Sequence, residues 1–116
     1  MFDHVGIRVR DLEASRRFYE TVLAPLGFEL TAARDDYIEF GALSIGDSRP
    51  PTPPLHFAFL ARTHDDVDAF HAAGVAAGYE SNGAPGIRKY APDYYAAFLL
   101  DPDGHNVEAV ARRQRA

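Results

Sequence analysis

The sequence predicts an α+β domain of two paired βαβββ modules, whose curved mixed sheet forms a trough with a helix outside each half. Three observations carry this expectation. Residues 3–9 and 55–60 both alternate apolar and polar side chains, the pattern of a half-buried strand. Each is followed by a capping residue and an amphipathic stretch of helical period. An offset of 52 places His4 on His56, Asp11 on Thr63 and Phe18 on Phe70, so the second half repeats the first.

In order along the chain, Val5, Ile7 and Val9 fall on one face of the first strand, and His4, Gly6 and Arg8 on the other. Asp11 is a good N-cap, and Leu12, Phe18, Tyr19, Val22 and Leu23 recur at helical spacing until Pro25 and Gly27 stop the helix. Three short strands are expected at Phe28–Ala32, Tyr37–Phe40 and Leu43–Asp47. Residues 48–54 hold four of the eight prolines and read as a stiff linker, because proline has no N–H to give a ladder. Leu55–Leu60 is the next strand, with Leu55, Phe57 and Phe59 opposite His56, Ala58 and Leu60. Thr63 then caps a helix whose first turn holds Asp65 and Asp66, well placed against the helix dipole. Gly78 ends that helix. Asn82–Asp93, rich in Gly and Pro, is expected to be a loop, and Tyr94–Leu100 an apolar strand. The turn Asp101-Pro102-Asp103-Gly104 feeds a last strand in which Val107 and Ala109 alternate with Asn106 and Glu108. The whole makes one domain, 1–116: module one at 1–48, linker at 48–54 and module two at 55–112.

With 116 residues, 47% hydrophobic and 25% charged, the chain has the composition of a modest globular domain. A net charge of −5 argues against a nucleic-acid partner. The basic tail Arg112-Arg113-Gln114-Arg115 is expected to be a frayed, solvated end. No apolar run approaches a membrane span, and no signal peptide is evident, so a cytoplasmic protein is expected. Cysteine is absent, which excludes thiolate chemistry and leaves His and carboxylate as metal ligands.

Strand parity then gathers a constellation. If the apolar faces cover the helices, His4, His56 and Glu108 all point into the trough. Two imidazoles and one carboxylate with open positions form a set suited to a divalent metal. Arg8 shares the inward parity, and Arg88 and Lys89 lie in a loop expected to overhang one end, so an anionic or oxygen-rich ligand would be clamped there. Tyr90, Tyr94 and Tyr95 can wall such a pocket or pack in the core. His64 and His105 are expected to be exposed, and His71 to be a satisfied core histidine.

Residues 3–30 (DHVGIRVRDLEASRRFYETVLAPLGFEL), 55–78 (LHFAFLARTHDDVDAFHAAGVAAG) and 98–110 (FLLDPDGHNVEAV) resemble the vicinal oxygen chelate superfamily of glyoxalases, bleomycin-resistance proteins and extradiol dioxygenases. The resemblance implies the paired βαβββ fold, with metal ligands on the first and last strands of each module. Carried over, these are His4, His56 and Glu108. The fourth position falls near Ile45, where no Glu, Gln or His stands, and this argues against four-ligand glyoxalase I activity. A His, His, Glu set is similar to that of dioxygenases and fosfomycin-type thiol transferases, with Tyr94 or Tyr95 as stand-ins for the tyrosine of dioxygenase-like sites.

The implied function is a metal-dependent enzyme of lyase or isomerase, dioxygenase or thiol-transferase type. It would use one Fe, Mn, Zn or Ni ion to chelate a small substrate through vicinal oxygens, with Glu108, Arg8, Arg88 and Tyr95 as the residues carrying the chemistry. The alternative is a metal-free small-molecule binder like the bleomycin-resistance proteins. A homodimer is expected, since pairing deepens the trough and covers sheet edges.

Overall fold

In the computed structural model, which describes residues 1–112, the chain runs as two βαβββ units in succession. Unit one comprises β1 (Val5–Arg8), α1 (Leu12–Leu23), β2 (Ala32–Ala33), β3 (Tyr37–Phe40) and β4 (Leu43–Gly46). Unit two comprises β5 (His56–Leu60), α2 (His64–Ala76), β6 (Ser81–Ile87), β7 (Tyr95–Leu100) and β8 (Asn106–Ala111). Each unit folds a four-stranded mixed sheet, in the orders β1-β4-β3-β2 and β5-β8-β7-β6. In both, the first strand lies parallel to the last, and the remaining pairings are antiparallel. The repeat in the sequence is therefore a repeat of topology.

The helices begin where the capping residues dictate. Asp11 accepts the backbone N–H of Ala14 at 3.1 Å, and the Thr63 hydroxyl accepts that of Asp66 at 3.1 Å, each satisfying a donor that the first turn leaves orphaned. Helix α1 buries Phe18, Tyr19, Val22 and Leu23, and α2 buries Val67, Phe70 and Gly74. After α1, a 3₁₀ turn over Ala24–Leu26 accepts Pro25, and Gly27 takes a φ of +86° to turn the chain away. Both helices and the inner faces of both sheets share one core, in which each buried Phe, Leu or Ile contributes about 1.5–3 kcal/mol. Tyr19 ties the units together. Its ring stacks on Phe57 at 6.5 Å, and its hydroxyl donates to Asp101 at 2.6 Å. Asp101 in turn accepts the N–H groups of Asp103 and His105, both at 2.9 Å, which fixes the turn that launches β8. Among the described residues, no helix is long and apolar enough to cross a membrane.

Several expectations are corrected. The strand expected at Phe28–Ala32 shrinks to Ala32–Ala33. Phe28 instead gives its N–H to Leu23, closing the end of α1, and its side chain stays 40% exposed. The loop expected at Asn82–Asp93 is largely strand, since β6 spans Ser81–Ile87. It is an outer strand with register shifts at Gly83 and Gly86, where missing ladder bonds and a proline are tolerated. The Pro-rich linker runs along the free edge of β1. Thr52 exchanges hydrogen bonds with the Arg8 backbone at 2.9 and 2.8 Å, and Arg49 donates to the Val9 and Arg10 carbonyls at 3.3 and 3.1 Å. His105 is wholly buried, and its Nδ1 accepts the Leu55 N–H at 2.9 Å. Apart from Arg112, the basic tail lies outside the described residues.

Candidate functional site

Register decides which side chains share a face. In the second sheet Ala58 stands opposite Glu108, and Glu108 opposite Phe98. Stepping by two from these places His56, Leu60, Asn106, Val110 and Ala96 on the same face. Gly83, paired with Phe98, and Gly86, paired with Ala96, extend that face onto β6. The other face carries Phe57, Phe59, Val107, Ala109 and Leu99 into the core against the helices. The open face is thus a distinct surface, and one ionisable group is sunk into it: Glu108, 1% exposed.

A buried carboxylate is costly unless its lone pairs are occupied, and here they are. His56 Nε2 lies 2.7 Å from Glu108 Oε1, and the Tyr94 hydroxyl donates to Glu108 Oε2. The histidine is oriented from behind. Asn106 Nδ2 approaches His56 Nδ1 at 3.4 Å, and Asn82 Nδ2 donates to Asn106 Oδ1 at 3.1 Å. Donors and acceptors match along the whole line when Asn82 gives to Asn106, Asn106 to His56, and His56 and Tyr94 both give to an ionised Glu108. Burial and the bond to Glu108 push the Tyr94 phenol up to about 12, so it is a proton donor throughout the neutral range. The pair still meets solvent, because the His56 side chain is 53% exposed.

The structure brings His56 and Glu108 together and leaves the other sequence candidates elsewhere. His4 is on the open face of the first sheet, 65% exposed, with Nδ1 bonded to Asp3 at 2.8 Å. Among the described residues, no three His, Asp or Glu side chains of one chain gather closely enough to hold a metal ion. Arg8 shares the first sheet's open face but spends its Nε on the Pro50 carbonyl at 2.7 Å. Tyr95 lies on the helix side, donating to Asp68 of α2 at 2.5 Å and stacked on His64 at 3.9 Å. Its neighbour Tyr94, one residue away and on the opposite face, is the tyrosine that meets Glu108. Arg88 does lie on the open face, its guanidinium 5.3 Å from the Phe98 ring centre.

The mirror of Glu108 also shifts by one. Since Ala58 pairs with Glu108, its counterpart Gly6 identifies Ser44 rather than Ile45, which is fully buried on the helix side. The spacing from Gly104 to Glu108, applied from Gly41, lands on Ile45, one residue too far, because the turns before β4 and β8 differ by a residue. The face there still lacks a Glu, Gln or His at the mirror position, although Glu39 stands beside Ser44 on β3.

Tyr94, Phe98, Asn106 and Arg112 complete the surroundings. Phe98 meets His56 edge-on at 6.0 Å, and the Arg112 guanidinium covers the Tyr94 ring at 4.8 Å. Asn106 was legible as the alternate of Val107, two residues before Glu108. Tyr94 and Phe98 were not, because Ala96-Ala97-Phe98-Leu99 is apolar on both faces and shows no parity.

The donor set suits a divalent ion in part. An imidazole nitrogen and a carboxylate oxygen lie side by side; were an ion to take His56 Nε2, the ring proton would sit on Nδ1 and Asn106 would present its Oδ1 there instead of its Nδ2. Two donors are too few for a tight site, and among the described residues no third lies beside them.

A family model described as the glyoxalase/bleomycin resistance protein/dioxygenase superfamily matches residues 1–109. Among solved structures, a glyoxalase/bleomycin resistance protein from Albidiferax ferrireducens is 35% identical, with a TM-score of 0.80, covering 96% of this chain and 98% of its own. The oxidase ChaP-H2 is 27% identical, with a TM-score of 0.71 and coverage of 100% and 96%. A lactoylglutathione lyase from Agrobacterium tumefaciens shares the fold at 19% identity, with a TM-score of 0.72 and coverage of 96% and 92%. Among curated proteins there is no match.

Proposed function

The chain belongs to the glyoxalase/bleomycin resistance protein/dioxygenase superfamily, and from that premise we propose that it is a divalent-metal-dependent enzyme acting on a small substrate with two vicinal oxygens. One observation carries the reading: His56 Nε2 and Glu108 Oε1 converge to 2.7 Å on a sheet face kept clear of the core. In this reading His56 and Glu108 hold one Fe, Mn, Zn or Ni ion, and His4 of a second copy adds the third donor. His4 is suited to that role, because Asp3 engages its Nδ1 and Nε2 has no protein partner among the described residues. The working unit is then a homodimer.

Such an ion supplies Lewis-acid stabilisation of negative charge on the substrate oxygens, which lyase, isomerase, oxygenase and thiol-transfer reactions share. The chain's own groups do the rest. Asn106 orients the His56 ring, and Tyr94, protonated at neutral pH, donates to Glu108 and fixes the position of that carboxylate. Phe98, Ala96 and Val110 line the same face with apolar surface.

A second reading has an observation in its favour. Glu108 is already satisfied by His56 and Tyr94, as a metal-free binder of small molecules would require. Calorimetric titration of chelator-treated protein with Mn²⁺, Fe²⁺, Ni²⁺ and Zn²⁺ separates the two. The enzyme reading expects about one ion per chain, lost in His56→Ala and Glu108→Gln and weakened in His4→Ala. Failure of all four ions to bind would leave the binder. Sedimentation at tens of micromolar should find a dimer, and a monomer there would remove His4 from the site.

A further inference from the structure

The open face of the second sheet carries a second built feature beside the His56–Glu108 pair. Arg88 follows β6 and lies flat along it. Its Nη2 donates to the Ala84 carbonyl at 2.7 Å, and its charged carbon sits 5.3 Å from the Phe98 ring centre. The strand is cut away beneath it. A Cβ at Gly86 would stand 3.1 Å from Arg88 Nη1, and one at Gly83 would stand 3.2 Å from Nη2 and 2.8 Å from the Phe98 ring. Both glycines pair across to residues of the open face, so their missing side chains leave room there for the guanidinium.

The charge so placed is uncommitted. Among the described residues no carboxylate pairs with Arg88, and the Ala84 carbonyl is the one protein acceptor its guanidinium meets. A guanidinium offers five N–H donors in a planar fork, so most remain available. The ring that carries it is the ring that meets His56 edge-on at 6.0 Å. A single aromatic side chain therefore separates a preorganised cation from the reaction centre. Across the face, Arg112 lies over Tyr94 at 4.8 Å. One guanidinium thus lies over Phe98 and the other over Tyr94, both side chains next to Glu108, and their positive charge favours an incoming anion at this face.

We propose that Arg88, cradled by Gly83, Gly86 and Phe98, is an oxyanion subsite, and that the substrate is a small acid. Its vicinal oxygens go to the His56–Glu108 centre, and a separate carboxylate or phosphonate sits on the Arg88 fork. The link to a substrate rests on the enzyme reading above; the anion subsite itself does not. The Ala84 hydrogen bond and the Phe98 ring hold the fork in place, and a held planar fork binds oxyanions bidentately.

The test uses malonate and methylphosphonate as probes, with acetamide as the neutral control, titrated into ¹⁵N-labelled metal-free protein. Saturable shifts should cluster on the amides of Gly83, Gly86 and Arg88 with the acids and not with acetamide. Which acid binds more tightly distinguishes a carboxylate from a phosphonate preference. Arg88→Ala should weaken both by about ten-fold or more, the loss of one charge-assisted contact. Arg88→Gln keeps the stem over Phe98 and should lose as much, which guards against a folding artefact. Gly86→Ala should weaken both through its clash with Nη1. His56→Ala should leave these affinities within two-fold, so loss of metal binding in that variant bears on the enzyme reading alone. Absence of shifts, shifts that acetamide reproduces, or shifts that survive Arg88→Gln would overturn the subsite.

Discussion

Replacing Glu108 by leucine should abolish metal binding and raise the melting temperature of the metal-free protein. Glu108 is 1% exposed amid Ala96, Phe98 and Val110, so the native fold carries the desolvation of a carboxylate, which costs several kcal/mol after relaxation. The hydrogen bonds from His56 and Tyr94 return about 1.5–3 kcal/mol each. Leucine removes both sides of that balance and adds burial of about 1.5–3 kcal/mol in the same volume. What decides the sign is whether the abandoned partners can turn to water. The His56 side chain is 53% exposed and Tyr94 is half-buried, so both can. The net expectation is a gain of about 1–2 kcal/mol, or about 4–8 °C for a chain of this size. Calorimetric melting with chelator, at matched protein concentration and oligomeric state, reads it. Glu108→Gln, which keeps shape without charge, should fall within about 1 kcal/mol of wild type. A leucine variant that melts several degrees lower would refute the reasoning, because Glu108 would then be holding the fold together rather than being kept for chemistry.

Three further outcomes follow from the packing. Tyr19→Phe strands one oxygen of buried Asp101 and should cost about 1.5–3 kcal/mol by urea denaturation, with the Asp101–Gly104 turn and β8 losing hydrogen-exchange protection first. Gly74→Ala would gain about 0.5–1 kcal/mol in an exposed helix. Here the new Cβ meets Leu99 Cδ1 at 2.5 Å and Cγ at 3.3 Å in a fully buried site, so overpacking of about 1–3 kcal/mol should win and lower the melting temperature. Two phenols are raised to about 12, Tyr94 by burial and the Glu108 bond, and Tyr95 by its Asp68 bond and burial. The unfolded phenol titrates near 10, so their stabilisation is complete below that pH and is lost as pH climbs through about 12. Urea midpoints at pH 9 and 11.5 should therefore converge in Tyr94→Phe/Tyr95→Phe relative to wild type, and an unchanged decline would show that other groups govern it.

What the sequence disclosed is what period and chemistry encode locally. Alternation put Ile7, Phe57 and Val107 toward the helices, and Asp11 and Thr63 began those helices where expected. The same parity delivered Glu108 and His56 to one face, because β5 and β8 are direct neighbours and each alternates cleanly. It failed where alternation is absent. The pattern does not choose between Tyr94 and Tyr95, because β7 is apolar on both faces and nothing local says which tyrosine faces the acid. It failed also at β6, where Gly83 and Gly86 read as loop residues yet serve as the floor of a strand. His4 marks a different kind of limit. Parity correctly gives the face of β1 that His4 shares with Gly6 and Arg8, but parity does not say which faces meet. That is decided by contacts between distant segments, with Phe18 against Tyr79 at 4.8 Å and Tyr19 bonded to Asp101. Those contacts bind the two units through their helix-bearing sides. They leave His4 exposed on one open face and the His56–Glu108 pair on another, and among the described residues no third His, Asp or Glu of the same chain gathers with either.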